Sequence, residues 1–221
     1  DNFSPSLSLA TFEQYLSFID PKKLIYLDTV IYTPNNIHAV EILAEPLPLP
    51  TRFLDPITIR SIVKACKENL RVEVDYLSLN APDFSGRIIQ PHTFVFDGLR
   101  WHVRALDEKD NQFKDFNLAR FNGDVEIEGS PNISSCKADD IQWNTIVDVE
   151  ICADIRLSQN QIECIEKEYQ MENGIRKLPC RIALLNYLLL QLRIDNFKAE
   201  PIAQQIMLTN NCREKLKQYL W

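Results

Sequence analysis

Cationic side chains occupy every second position in the segment "RWHVRAL". They are Arg100, His102 and Arg104. Because successive side chains of a β-strand point to opposite faces, this spacing places all three on one face of a strand and directs Trp101 into the core on the other. Guanidinium groups form paired hydrogen bonds with carboxylates and phosphates. The segment therefore predicts a cationic strand face that meets an anion.

A wider set of polar side chains is expected to join this face if the neighbouring strands curl into a barrel. Together they would supply charged donors, an aromatic ring and a hydroxyl to one concave surface, which suits a phosphate and a base. The predicted ligand-binding residues are Tyr76, Ser78, Arg87, His102, Arg104 and Arg120. The alternative is that such cations protect strand edges, or that Arg87 or Arg120 forms a surface salt bridge with Asp75, Asp107 or Asp115.

The elements that would position these residues begin with a helix. Asp55 is its predicted N-cap and Pro56 its first residue, followed by an apolar stripe at helical spacing. The stripe consists of Ile59, Ile62, Val63 and Cys66. The alternating segment "LRVEVDYLS" then predicts a half-buried strand.

Short strands follow at close spacing, in "RIIQP", "TFVF", "RWHVRAL" and "FKDFNLARF". Asp97-Gly98 predicts a tight hairpin and Asp110-Asn111 a longer one. A helix followed by about five antiparallel strands is typical of a small, strongly bent barrel.

The flanking segments have a different character. Upstream, "SLATFEQYLSFI" predicts a helix, "KLIYLDTVIYTP" a strand and "EPLPLP" an extended linker. Downstream, "VDVEICADIRL" predicts a strand, and Ser158 with Gln161 forms a capping box at the start of a helix. The segment 181–194 predicts a helix that is apolar around nearly its whole circumference, hence packed between layers or at a subunit interface. "NCREKLKQYLW" predicts a terminal helix.

Composition excludes several classes of function. The chain has 221 residues, a net charge of −7 and only 5 glycines, which argues against a general polyanion binder and against a glycine-rich phosphate loop. Its 6 cysteines are far apart without a CxxC pair, so no zinc site is expected and the thiols are typical of a reduced, cytoplasmic protein. No hydrolase or nucleotide-binding motif is present, and we expect neither enzymatic activity nor a cofactor.

The order of these motifs resembles the WYL domain of bacterial transcriptional regulators. The resemblance covers the helix, "VEVDY-S", "GRIIQPHTFVFDGLRWHVRALDE" and "FKDFNLARF", about residues 56–125. The name-giving triplet is Trp101-His102-Val103 here, and "RWHVRA" is most similar to repressors found beside phage-defence systems. The family's ligand-binding positions fall on the same set of residues that strand parity selects.

The resemblance also implies a domain organisation and partners. It implies an α+β fold with a helical linker at 1–55 after a winged helix-turn-helix that lies upstream, an Sm-like (SH3-like) β-barrel at 56–130, and a C-terminal α/β dimerisation extension at 146–221. The expected partners are a second copy in a homodimer, a nucleotide or oligonucleotide effector, and operator DNA through the upstream domain. No membrane partner is expected. A constitutive dimerisation module without a small ligand is the alternative function.

Overall fold

The structure, a computed structural model, describes residues 52–79, 85–131 and 136–219. The described residues form two compact units, the first ending at Cys136 and the second beginning at Lys137. The helix, strand and linker predicted upstream, in "SLATFEQYLSFI", "KLIYLDTVIYTP" and "EPLPLP", lie outside the described residues.

The described part of the first unit contains one long helix and a five-stranded antiparallel sheet. The elements are α1 (Pro56–Glu68), β1 (Arg71–Tyr76), β2 (Ser85–Phe96), β3 (Trp101–Asp107), β4 (Gln112–Asn117), a 3-10 turn (Leu118–Arg120) and β5 (Phe121–Gly129). The strand order is β4-β3-β2-β1-β5. β4 and β5 are the edges, and no pairing between them is found among the described residues. The closed barrel predicted from the sequence is therefore not shown: the structure has an open sheet.

Local sequence explains where α1 and β1 form. Asp55 accepts a hydrogen bond from the Thr58 backbone N–H at 2.7 Å, and Pro56 occupies the first turn, as a helix start requires. Ile59 and Ile62 are fully buried against the sheet. In β1 the buried and exposed side chains alternate as predicted.

The two short strands predicted in "RIIQP" and "TFVF" are one strand, β2, with an irregularity between Pro91 and Thr93. Because proline has no backbone N–H to donate, a bulge is one of the few places where a sheet accepts it. Both predicted hairpins are confirmed, at Asp97–Arg100 and before Gln112. The hairpins place β3 between β2 and β4.

The second unit contains a three-stranded antiparallel sheet and short helices. Its elements are α2 (Cys136–Asp139), α3 (Ile141–Asn144), β6 (Ile146–Ala153), α4 (Gln159–Glu168), β7 (Arg176–Arg181), a 3-10 turn (Ile182–Leu184), α5 (Leu185–Gln191), α6 (Pro201–Gln204), β8 (Ile206–Leu208), α7 (Asn210–Leu216) and a 3-10 turn (Lys217–Tyr219). β6 is central, between β7 and β8. The predicted capping box at Ser158 and Gln161 is confirmed, with the Ser158 N–H donating to Gln161 Oε1 at 2.9 Å.

The single helix predicted over 181–194 is shorter than expected. It is a 3-10 turn followed by α5, and only one side of α5 enters the core of the unit, through Leu185 and Leu189. Leu190 is 57% exposed. The apolar circumference therefore leaves hydrophobic surface that the described residues do not cover. None of the helices formed by the described residues has the length and apolar character needed to traverse a lipid bilayer.

Candidate anion-binding site

His102 and Arg104 project from the same face of β3, as their spacing predicts, but both are buried. His102 Nε2 lies 2.9 Å from Asp97 Oδ2. Since an ionised carboxylate only accepts hydrogen bonds, Nε2 carries the proton and donates it. Arg104 Nη1 donates to Asp115 Oδ1 at 3.3 Å, and the strand register places Asp115 directly opposite Arg104. Both side chains thus already have an anionic partner inside the protein.

Arg87 is neutralised in the same manner by Asp107. Its Nη1 donates to Asp107 Oδ2 at 2.7 Å, and Lys114 Nζ reaches the same oxygen at 3.1 Å. Asp107 is fully buried, so this carboxylate depends on the two cations for compensation. The predicted alternative partner of Arg87, Asp107, is therefore correct, but the salt bridge is buried and does not lie at the surface.

Asp97 organises the hairpin between β2 and β3. Burial by itself would raise the pKa of this carboxyl, but hydrogen bonds from the His102 ring and from the Leu99 and Arg100 backbone N–H groups bring the pKa below its ordinary value. The two backbone donors lie 2.8 and 2.6 Å from Asp97 Oδ1. Asp97 therefore stays ionised and holds both the loop and the imidazole in position.

Tyr76 belongs to the hydrophobic core. Its ring packs edge-on against Phe116 and Phe121, with centroids 5.0 and 5.4 Å away. Its hydroxyl oxygen accepts the Asn117 backbone N–H at 3.1 Å. Strand parity does place Tyr76 on one face with Val72 and Val74, but that face is the buried one. β1 ends at Tyr76, so Ser78 lies beyond the strand on which that parity depends.

Arg120 lies in the 3-10 turn between β4 and β5, apart from the buried ion pairs of β3. It borders an open depression of about 470 Å³ in the surface of the first unit. The depression is lined by Arg52, Phe53, Arg100, Asn117, Ala119 and Arg120. Arg120 is therefore a predicted ligand-binding residue that lines the depression. Arg87, His102 and Arg104 do not line it.

Arg52 and Arg100 were not predicted to lie together with Arg120 at this depression. Arg100 belongs to the cationic face predicted from "RWHVRAL", although it is not one of the six predicted ligand-binding residues. Arg52 and Phe53 precede α1, and no periodic pattern in the sequence marks them. The tertiary fold brings them to the depression, where Arg52 Nη1 donates to the Leu99 carbonyl at 2.8 Å. The contact joins residues 47 positions apart, which no local pattern reveals.

One group of carboxylates could in principle hold a cation. Oxygen atoms of Glu73, Glu126 and Glu128 lie within 4.8 Å of one another on the surface of β1 and β5. All three side chains are exposed. Since magnesium and calcium sites need several converging oxygen ligands in a defined geometry, exposed glutamates alone do not identify a metal centre.

Two family profiles match the chain. The WYL domain matches residues 58–127, and the "BrxR transcriptional regulator, C-terminal dimerization domain" matches residues 146–216. These matches correspond to the first and second units. The resemblance inferred from the sequence is confirmed.

Curated relatives carry the name "DNA-binding transcriptional repressor CapW". One from Escherichia coli (strain KTE188) is 36% identical over 74% of this chain and 54% of its own length. One from Pseudomonas aeruginosa is 34% identical over 75% of this chain and 54% of its own length. The chain thus spans about half the length of the relatives it matches. Among solved structures, the proteasome accessory factor B/C of Arthrobacter aurescens is 12% identical over 78% of this chain and 28% of its own, with a TM-score of 0.33.

Proposed function

We propose that this homologue of CapW, which carries a WYL domain followed by a BrxR-type C-terminal dimerization domain, is the sensing and dimerisation portion of a transcriptional repressor of a phage-defence system. The observation that carries the proposal is the presence of both domains, in this order, in one chain. Operator DNA is bound by a separate domain, because a chain with a net charge of −7 has no general affinity for a polyanion.

In this proposal the protein is a homodimer that associates through the second unit. Leu190 and Ile202 are largely exposed, and a cavity of about 600 Å³ opens beside Leu190. It is lined mainly by apolar side chains, including Leu189, Leu190, Ile194, Phe197, Met207 and Leu208. Exposed apolar surface of this kind is typical of protein–protein contacts, and two-fold symmetric dimers are the commonest oligomers.

The proposed effector is a nucleotide or a nucleic-acid-like anion bound by the WYL domain. Arg52, Arg100 and Arg120 around one depression support an anionic ligand. Such a ligand controls DNA binding only if it binds one dimer geometry more tightly than the other. The two units would transmit that preference to the DNA-binding domains.

Measuring transcription of the genes adjacent to the protein's own gene tests the repressor assignment. Cells that lack the protein should show higher transcript levels than cells that contain it, and resupplying the protein should restore the lower level. Unchanged transcript levels in both strains would contradict the assignment.

A constitutive dimerisation module is favoured by a different observation. Arg87, His102 and Arg104 are all occupied by internal carboxylates, as expected if they only stabilise the sheet. The two functions differ in their response to ligand. The affinity of a sensor for operator DNA changes when nucleotides or oligonucleotides are added. A constitutive module binds the operator with the same affinity in their presence and absence.

A further inference from the structure

We propose that the cavity beside α5 in the second unit binds a zwitterionic ligand with an apolar body, an apolar amino acid or a short peptide. The ligand's carboxylate lies at Arg213 and its ammonium group at Asp195. The inference goes beyond the proposed function, because it gives the second unit a ligand of its own and does not depend on the effector of the WYL domain.

The size and lining of this cavity are those of a ligand site. Its volume is about 600 Å³, and small-molecule pockets of this size are mostly apolar with a few well-placed polar groups. Leu189 and Leu208 line it from the core, whereas Leu190 and Phe197 are exposed. The polar lining residues are Asn186, Tyr187, Asp195, Asn196, Gln204 and Arg213. An apolar body can therefore be covered here while its charged ends reach polar groups.

Two opposite charges border the cavity without neutralising each other. Among the residues of the second unit that the structure describes, neither Asp195 nor Arg213 forms an ion pair. Asp195 Oδ2 accepts a hydrogen bond from the Asn196 side chain at 2.6 Å, and a carboxylate has further acceptor positions on both oxygens. A ligand that carries both charges can bind the two residues at once, through charge-assisted hydrogen bonds.

The presence of both charges selects a zwitterion among apolar ligands. A fatty acid would supply a carboxylate for Arg213, but it would leave Asp195 without a cation and would be repelled by it. An apolar amine would leave Arg213 without an anion for the same reason. A ligand with both an ammonium and a carboxylate group is complementary to both residues.

The wall of the cavity that carries Phe197 is held in place by the protein itself. Arg156 lies over the Phe197 ring, 4.6 Å from its centroid. The same guanidinium donates to the carbonyls of Lys198 at 3.0 Å and Ala199 at 2.7 Å, and it is paired with the fully buried Asp154. A wall that is already ordered loses less conformational entropy when the ligand binds.

Gln204 connects this wall to β8. Its Oε1 accepts the Lys198 N–H at 2.7 Å, and its Nε2 donates to the Ile206 carbonyl at 3.1 Å. Gln204 is buried, so these hydrogen bonds are shielded from water. The cavity is thus bounded by segments that fix one another, as in pockets that form before the ligand binds.

The test is a calorimetric titration of the purified chain with leucyl-leucine at neutral pH, where both ends of the peptide are charged. Two blocked peptides are the comparison: acetyl-leucyl-leucine lacks the ammonium group and leucyl-leucinamide lacks the carboxylate. The wild type should bind leucyl-leucine about fivefold more tightly than either, the effect of one charge pair that water partly screens. Leucine, titrated in parallel, distinguishes an amino acid from a peptide as the source of the two charges.

Each charged residue should affect only the ligand group that it contacts. Arg213→Ala should weaken the binding of leucyl-leucine about fivefold and leave that of leucyl-leucinamide unchanged. Asp195→Asn should weaken leucyl-leucine by a similar factor and leave acetyl-leucyl-leucine unchanged. Such cycles isolate the pairwise contact, because a loss of folding would weaken the binding of all the peptides together.

Arg176→Ala is the matched control. Arg176 is an exposed arginine of β7, at the edge of the sheet opposite β8, and it does not line the cavity. It should leave every affinity unchanged, and all variants should melt at the wild-type temperature.

Two results would overturn the inference. If the blocked peptides bind as tightly as leucyl-leucine, the cavity recognises apolar surface alone and the roles of Asp195 and Arg213 are wrong. If the wild type binds neither leucine nor any of the peptides, as it would when a second copy of the chain fills the cavity, the ligand site is wrong. Neither result affects the effector proposed for the WYL domain.

Discussion

Whether an arginine of this protein can bind an external anion depends on which carboxylates surround it. Arg87 and Arg104 lie on strands whose neighbours present Asp107 and Asp115, and they are neutralised within the sheet. Arg120 lies in a turn where no described carboxylate reaches it. Because removing a charge from water is costly unless an opposite charge compensates it, the buried pairs have a structural role. Arg100 and Arg120, for which the described residues provide no carboxylate partner, lie in a hairpin and in a turn.

Replacing Asp107 tests this structural role. Asp107 is 0% exposed and accepts hydrogen bonds from Arg87 and Lys114. Asp107→Ala leaves two cations without their buried acceptor and should lower the free energy of unfolding by about 3 kcal/mol, as for other broken buried pairs. Denaturation in urea would measure the change.

Asp110 is the matched control because it pairs with the same Lys114 but its side chain is 43% exposed. Asp110→Ala should cost much less than Asp107→Ala, because water screens an exposed salt bridge. Equal losses for the two variants would show that burial does not set the strength of the Asp107 cluster.

The Asp97 carboxylate should make stability depend on pH in the acid range. Burial opposes its ionisation, but the hydrogen bonds from His102 and the Leu99 and Arg100 backbone outweigh burial and lower its pKa in the folded state. A carboxyl with a lowered folded pKa stabilises the protein above the unfolded pKa of about 4, and that stability is lost as the pH falls through the folded value.

Asp97→Asn should therefore be less stable than the wild type at neutral pH, and the difference should shrink as the pH is lowered below about 4. Unfolding curves from pH 7 to pH 2 measure it, with exposed Asp75→Asn as the comparison. A difference between Asp97→Asn and the wild type that stays constant over this range would contradict the assigned role of the carboxylate.

At the scale of elements, local signals place α1 and the hairpins accurately. Asp55 and Pro56 start the helix, and Asn69 ends it in a left-handed conformation, its N–H bound to the Ala65 carbonyl. The helix covers the sheet through Ile59 and Ile62, while Phe53 lies just before it, outside the core. The start of α1 thus has two consequences: it anchors the core and it positions the approach of Arg52 and Phe53 to the depression.

Removing the N-cap of α1 should therefore lower stability. Asp55→Ala takes away the acceptor of the Thr58 N–H and should cost about 1 kcal/mol, the usual value for such a cap. Asp55→Ser, which can cap the same N–H, should retain most of the stability. The free energy of unfolding by urea distinguishes the two, and an Asp55→Ser variant as unstable as Asp55→Ala would show that the cap is not the cause.

At the scale of the whole molecule, the second unit leaves apolar surface that its own core does not cover. Leu189 is buried in that core, whereas its neighbour Leu190 is exposed beside the cavity. Leu190→Asp should weaken the proposed homodimer by tenfold or more, since a charge buried in an apolar interface is not compensated. Sedimentation equilibrium measures the dissociation constant.

Ile141→Asp is the control for this prediction, because Ile141 is another exposed aliphatic residue of the second unit and does not line the cavity. It should leave the dissociation constant unchanged. A Leu190→Asp variant that dimerises as tightly as the wild type would place the interface on another surface.

Whether a prediction is confirmed depends on how far apart in the chain the interacting residues lie. Signals contained within a few residues, such as the cap at Asp55 and the capping box at Ser158, are confirmed because their hydrogen-bond partners are adjacent in the chain. The predicted convergence of Tyr76, Arg87, His102 and Arg104 on an open hollow does not correspond to their surroundings: Tyr76 is in the core and the other three are paired with carboxylates. Strand parity gives the face of a side chain but not what covers that face.

The amino-acid sequence by itself determined α1, the two hairpins of the first unit, the side-chain parity of β1 and β3, and the family resemblance, because each depends on residues close together in the chain. Only the tertiary structure decided which cations are neutralised. Strand register sets Asp115 opposite Arg104, and a contact across 47 positions brings Arg52 to the loop of Arg100. Electrostatic interactions act through space, so the charges that meet are those the fold brings together.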